Sequence, residues 1–552
     1  MPRPIYYDDD DDDRDGSPDS IGYVEEDHPL QFHGNKELAA QAVKLLQVPR
    51  KRDDTSFASS TTDMDVPIYV RGPGTRHLGE KNLNGRLVFA IIASAFGSAF
   101  QHGYNTGVVN APQTLIEDWI RGVLSARDNG AQVDKSQVTL IWAIAVSIFC
   151  FGGMIGGLLT GVVAEKYGRK GGLLVSNVLV IFSALLQGIS KMCSSYELIV
   201  VGRFLIGINS GLNAGLTPMY LAEISPMNLR GSVGTVYQLV VTISILISQI
   251  LGLDYILGTA DKWPILLAII IVPAVFMFLT LPFCPESPKY TLINKKQDME
   301  AQRGLQWFRG TIEVHEEMEE MRAESDAMKL IPRVTLKEML VNPMLSIPLG
   351  ISVMIMLCQQ LSGINAVMFF STKIFEMAEM TPDGAKYATL GMGSLNVIMT
   401  LTSLFLVELS GRKTLLLIGF SAMFVDTVLL TIALMFVKTA VWVSYMAIIF
   451  VMVFVIAFAV GPGSIPWFLV SELFNSSARP LATSIAVGVN WTANFVVGLG
   501  FLPLQELLGP NVFLIFVVLL ALFVLYVAKK VPETKNKTLE EIQMLFRQES
   551  YK

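Results

Sequence analysis

Eight carboxamides stand inside stretches of sequence that are otherwise apolar: Gln238, Gln249, Gln359, Gln360, Asn365, Asn396, Asn490 and Asn494. A carboxamide is neutral and places an acceptor oxygen beside donor hydrogens, so it matches a pair of neighbouring hydroxyls in a two-point contact. Trp467 and Trp491 carry faces wide enough to cover an apolar C–H surface. Together these groups suit a neutral ring compound rich in hydroxyls. An anionic ligand would ask instead for buried Arg or Lys, which these stretches nearly lack. Buried amides also serve to hydrogen-bond one helix to another, and Gln249 and Asn494 fit that use equally well. The sequence has no Gly-x-x-x-x-Gly-Lys loop and no paired catalytic constellation. No enzymatic activity, cofactor, metal or nucleic-acid partner is therefore expected. The four cysteines show no metal or redox spacing.

The stretches that carry the amides come from a duplication. Glu165-Lys-Tyr-Gly-Arg169-Lys170 returns 243 residues later as Glu408-Leu-Ser-Gly-Arg412-Lys413. Glu223 to Arg230 is answered 249 residues on by Glu472 to Arg479, and Pro285-Glu286-Ser287 is answered 247 residues on by Pro532-Glu533-Thr534. Charged landmarks in one order at a nearly constant offset mark a repeated unit, and duplicated apolar halves are the build of secondary transporters. The matched sets predict a salt-bridge lock at the ends of spans, with Glu165, Arg169, Glu223 and Arg230 in one half and Glu408, Arg412, Glu472 and Arg479 in the other. Arg203, inside an apolar stretch, needs a partner of its own because a guanidinium in hydrocarbon is expensive.

Composition agrees with a membrane chain, at 52% hydrophobic and 16% charged residues, where a soluble domain carries about 25% charged. The overall charge of −6 belongs to the beginning: residues 1–85 have a net of −7 and the remainder +1. This acidic tail, with its Asp8 to Asp13 run, has too little apolar surface to offset its ordering entropy and reads as disordered and cytosolic. Apolar runs of bilayer length follow at 87–109, 138–164, 171–190, 196–221, 231–256, 263–283, 344–376, 386–407, 414–437, 441–469, 480–504 and 510–530. The expected fold is an all-α membrane protein of twelve transmembrane helices. Six lie in an N-terminal half (86–283) and six in a C-terminal half (344–531). A polar helical linker domain (284–343) joins them, and a short cytosolic tail (532–552) ends the chain. Lys and Arg gather in the even-numbered connections, which places both termini and the linker in the cytosol.

Specific motifs then resemble a known family. Gly103-Tyr104-Asn105-Thr106-Gly107-Val108, Gly202-Arg203, Pro285-Glu286-Ser287-Pro288-Lys289, Gln359-Gln360-Leu361-Ser362-Gly363-Ile364-Asn365, Gly461-Pro462-Gly463 with Ile465-Pro466-Trp467, and Pro532-Glu533-Thr534-Lys535 are similar to the sugar porters of the major facilitator superfamily. Among these, the chain most resembles the animal facilitative glucose transporters, over about residues 86–547. The resemblance implies a hexose substrate, D-glucose first, carried across a plasma membrane. Its sugar contacts would be Gln238, Gln359, Gln360, Asn365, Asn396, Trp467, Asn490 and Trp491. Gln360 and Asn365 lie about 140° apart on an ideal helix, so serving one site requires a loosened helix, placed at Gly363. A second break is expected at Gly461-Pro462-Gly463, as a hinge.

The chain departs from that pattern at Ala459, where animal glucose carriers typically have glutamate, and at Met368, where an aromatic is common. The proton-coupled members resembling this chain carry Asp in the Gly-Tyr-Asp context of the first span, where this chain has Asn105. That favours uniport over a proton-coupled symporter. A non-transporting sugar sensor is the other alternative, though the tail after Pro532 is short for signalling. His102 and Asp426 are the remaining candidates to hold a proton, with Asp426 expected at the periphery as an anchored or snorkelling side chain.

Overall fold

The computed structural model describes Leu83 to Ser550, except for residues 131, 227–228, 331–333, 475–477, 536 and 538. The expectations for the acidic tail lie outside the described residues. Helices account for nearly all of the described chain, and no strand occurs among the described residues. The first half consists of α1 (Gly85–Gly107), a short surface helix α2 (Gln113–Arg127), α3 (Lys135–Tyr167), α4 (Arg169–Ile189), α5 (Glu197–Ile224), α6 (Arg230–Leu251), and the paired α7 (Trp263–Ala268) and α8 (Ile271–Thr280). Four linker helices follow: α9 (Pro288–Ile293), α10 (Asp298–Arg309), α11 (His315–Leu330) and α12 (Leu336–Val341). The second half has α13 (Pro343–Leu361), α14 (Ile364–Met377), α15 (Pro382–Leu409), α16 (Arg412–Met435), α17 (Val441–Val460), α18 (Ile465–Leu473), α19 (Arg479–Leu508) and α20 (Val512–Lys530), and the described chain closes with α21 (Leu539–Ser550). Among the described residues, nine helical stretches are long and apolar enough to cross a membrane by length and composition, and the last of them holds both α19 and α20.

Two ends of the bundle can be told apart by what decorates them: α2 at one, the linker helices at the other. Close packing between α3 and α5 rests on glycine. A methyl group at Gly156 would lie 2.1 Å from the Ile208 carbonyl oxygen, and one at Gly211 would lie 2.1 Å from that of Gly153. Small residues let apolar helices approach closely enough for dispersion to hold them, which matters where lipid competes for the same surface.

The linker end explains the repeated motifs. Helices α4 and α16 begin after Gly168 and Gly411, which offer no side-chain cap. The caps arrive from far along the chain. Glu286 accepts backbone N–H groups of Arg169 (3.0 Å), Lys170 (2.9 Å) and Gly171 (3.2 Å). Glu533 accepts those of Arg412 (2.8 Å) and Lys413 (3.1 Å). A carboxylate at a helix N-terminus answers both the orphan donors and the positive end of the dipole. Glycine is needed before each arginine because a methyl would lie 2.4 Å from a Glu286 oxygen at Gly168, and 2.2 Å from a Glu533 oxygen at Gly411. Each arginine then grips a second carboxylate, with Arg169 Nη2 2.8 Å from Glu223 and Arg412 Nη2 2.9 Å from Glu472. The hydroxyls of Ser287 and Thr534 donate to the remaining oxygens of Glu223 and Glu472.

Removing such a cap leaves partly buried donors unmet at a cost of about 1–3 kcal/mol. Glu286→Ala and Glu533→Ala should each lower the thermal unfolding midpoint in detergent, whereas Lys166→Ala, outside the motif's hydrogen bonds, should not. Unchanged midpoints in both glutamate variants would contradict the capping assignment.

Candidate functional site

Two helix breaks face each other in the second half. Gly363, at φ +100°, separates α13 from α14 in a backbone region that glycine adopts without strain. The break falls where the angular argument for Gln360 and Asn365 places it. The other separates α17 from α18 over Gly461 to Ser464. Four of the expected contact residues gather between them. Gln359 Nε2 donates to the carbonyls of Pro462 (2.8 Å) and Gly463 (2.9 Å). Asn490 Nδ2 donates to Gln359 Oε1 at 2.8 Å, and Gln360 Nε2 donates to Asn490 Oδ1 at 2.9 Å. Asn365 Nδ2 donates to Gln360 Oε1. All four are buried, with Asn365 8% and Gln360 9% exposed. The result is a continuous amide cluster built from α13, α14 and α19.

Gln359 thereby has a structural duty, since its donor answers carbonyls that the broken helix releases. Among the described residues, Gln360, Asn365 and Asn490 bond only to side chains of the cluster, the Met356 sulfur and the Gln360 carbonyl. A ligand with paired hydroxyls could take over those amide–amide bonds.

Aromatic rings from both halves meet beside the cluster. Trp491 is 4% exposed, and its ring fills the space left by Gly153 of α3, where an added methyl would lie 2.5 Å from it. His102 of α1 lies 5.5 Å from Trp491 between ring centroids, and its Nδ1 is 3.0 Å from the Tyr237 hydroxyl of α6. Gln238, the next residue, is exposed. His102 therefore joins Trp491 to Tyr237 of α6, a link that sequence reasoning missed, while no described side-chain hydrogen bond ties Gln238 to the cluster. The only signal for it was a histidine in an apolar span one turn before Asn105. Asn396 is buried and Trp467 is 39% exposed; no described side-chain hydrogen bond ties either to the cluster. Ala459, the position at which the chain departs from the pattern it resembles, is 7% exposed on the last turn of α17.

The buried charges differ from expectation. Arg203 is fully buried and finds carbonyls and a ring where a carboxylate partner would be the usual answer. Its Nε donates to Ala145 O at 2.7 Å, its Nη2 to Asn105 O at 3.2 Å, and its guanidinium lies 5.2 Å from the Phe149 ring centroid. Asn105 donates to the Gln101 carbonyl of its own helix. Asp426 does not snorkel: it is 4% exposed on the packed face of α16, and its Oδ2 has no hydrogen-bond partner among the described residues. Of the residues grouped in the lock, Arg169 pairs with Glu223 within the first half and Arg412 with Glu472 within the second. Arg479 is exposed and donates to the Phe474 carbonyl of its own half. The Tyr290 hydroxyl reaches the Glu165 backbone, and the side chains of Arg230 and Glu408 lie outside the described residues.

Polar contacts between the halves gather at the α2 end. Asn110 donates to Met368 O (2.7 Å) and accepts from Ser371, Thr139 donates to Glu506 (2.6 Å), and Lys386 pairs with Asp254. Beside this seam, α2 presents Glu117, hydrogen-bonded by Gln113 Nε2 at 2.8 Å.

The family described as Sugar (and other) transporter matches residues 90–546. The chain belongs to that family. It is 46% identical over 506 residues to Facilitated glucose transporter protein 1 of Caenorhabditis elegans, covering 90% of this chain and 99% of that protein. It is 44% identical over 466 residues to Solute carrier family 2, facilitated glucose transporter member 1 of Gallus gallus, covering 84% and 94%. Among solved structures, the partially occluded inward open xylose transporter XylE of E. coli superposes with a TM-score of 0.69 at 24% identity, covering 83% of this chain and all of that one. The shared fold is that of the major facilitator transporters.

Burial raises the Glu117 carboxyl above the ordinary range; the Gln113 hydrogen bond and Lys373 of α14 oppose this, while Glu506 of α19 and Asp118 add to it. A carboxyl raised in this way binds its proton more tightly in the docked arrangement than in solvent, so docking is favoured below the raised value and weakened as pH rises through it. Hydrogen exchange in α2, corrected for intrinsic rate, should slow as pH falls from neutral toward the ordinary carboxylate range, and Glu117→Gln should flatten that dependence. An equally steep dependence in the variant would refute the role of Glu117.

Proposed function

We propose that this protein carries a hexose, with D-glucose the first candidate, across the plasma membrane by alternating access, driven by the sugar's own gradient. The observation that carries this reading is the buried Gln360–Asn365–Asn490 cluster beside two helix breaks, because it offers several neutral donors and acceptors to hydroxyls while holding no charge. The twelve apolar stretches act as spans in two six-helix halves, 86–283 and 344–531. The linker (284–343) and both termini lie on the cytosolic side. The names of the relatives, as facilitated glucose transporters, support the substrate class. The amides Gln238, Gln359 and Asn396 and the rings Trp467 and Trp491 complete the substrate site. The linker-end ion pairs stiffen each half so that it moves as a body.

A second reading, proton-coupled symport, draws on the buried carboxylate of Asp426. Asn105 argues for uniport: it is fully packed on α1 and cannot titrate in the accessible pH range.

Purified protein in liposomes should equilibrate labelled D-glucose without concentrating it under an inward proton gradient. Accumulation that a protonophore abolishes would replace uniport by symport, with Asp426→Asn then expected to uncouple the two. Absence of saturable hexose entry would remove the transport reading. Asn365→Val should weaken sugar affinity by about 1–3 kcal/mol, or about 5- to 150-fold, the worth of one or two hydrogen bonds. Equal affinity in wild type and variant would make that amide a packing group.

A further inference from the structure

The seam between the halves at the α2 end contains one group that works against closure. Gln249 lies on the last turns of α6 and is 3% exposed, yet neither its Oε1 nor its Nε2 has a hydrogen-bond partner among the described residues. Its neighbour across the seam is α15 of the other half. There its oxygen occupies the notch left by Gly393, so close that a methyl at that glycine would lie 2.0 Å from it. Buried carboxamides with both ends unmet are uncommon, because each unpaired group costs its full desolvation.

The groups flanking Gln249 work the other way. Lys386, two turns before Gly393 on α15, pairs with Asp254. Asn110 bonds to Met368 and Ser371, and Thr139 bonds to Glu506. Each of these contacts forms only when the two halves meet at this end. A carrier that cycles needs its two end states close in free energy, since a population far to one side slows return to the other. A seam built only of satisfied contacts would hold the α2 end shut.

We propose that Gln249 is a counterweight in this gate. Its carboxamide is stripped of water when the α2 end closes and rehydrated when it opens, which offsets the polar contacts beside it. Gly393 provides the socket that lets closure happen at all. The inference rests on the alternating-access reading above, and it assigns these two residues to the conformational balance, with no contact to sugar.

Two substitutions should then shift the balance in opposite directions. Gln249→Leu keeps the side chain's bulk and removes the unmet polar groups, so it favours the closed α2 end. Gly393→Ala fills the socket and favours the open end. The experiment is a spin-label distance measurement on full-length protein in liposomes, with labels at Arg121→Cys and Leu507→Cys and the exposed Cys193 replaced by Ser. Wild type should show a short and a long distance whose proportions change with D-glucose. Gln249→Leu should raise the short-to-long ratio by at least about fivefold, the worth of one unpaired buried polar group, and Gly393→Ala should lower it. Gln249→Met serves the same purpose if the leucine variant does not fold. A single fixed distance in wild type with and without sugar would overturn the alternating-access reading itself. Two wild-type distances with no shift in the variants, or a shift of both in the same direction, would overturn the counterweight alone.

Discussion

A backbone carbonyl released inside an apolar bundle must find a donor, and in this protein that requirement decides where the amides go. Two helices of the second half are broken at mid-length, after Leu361 and after Val460. The donors of Gln359 meet the carbonyls of Pro462 and Gly463, and its oxygen is held by Asn490, which in turn accepts from Gln360. The breaks and the amide cluster therefore depend on each other. Without Gln359 the second break would leave unmet carbonyls; without the break at Gly363, Gln360 and Asn365 would face different ways.

The same logic runs at the linker end with charge in place of amides. Orphan N–H groups at the starts of α4 and α16 are met by Glu286 and Glu533, and the following arginines reach Glu223 and Glu472. Each set ties two membrane helices of one half to the segment that leaves that half. Charged links of this kind stiffen the halves internally, while polar links between them concentrate at the opposite end.

Much of this was legible in the sequence, for identifiable reasons. Apolar runs of bilayer length give helices, because the backbone in lipid has no other way to satisfy itself. The Gly363 break follows from the 100° turn per residue and the positions of Gln360 and Asn365. The repeated Gly-Arg-Lys and Pro-Glu-Ser/Thr motifs announced a duplication, but their meeting at Gly168 and Gly411 spans more than a hundred residues and carries no local signal. The same holds for Gln359, whose capping duty depends on a helix break 103 residues away. Arg203 and Asp426 show the limit from the other side. A charge in a span predicts that something must answer it; carbonyls and the Phe149 ring answer Arg203, which composition cannot foresee.

A structure determined with bound D-glucose tests the central claim most directly. The sugar should lie against Gln360, Asn365 and Asn490, with its hydroxyls replacing the amide–amide hydrogen bonds among them, while Gln359 keeps its bonds to Pro462 and Gly463. A sugar bound elsewhere with the amide cluster intact would contradict the account.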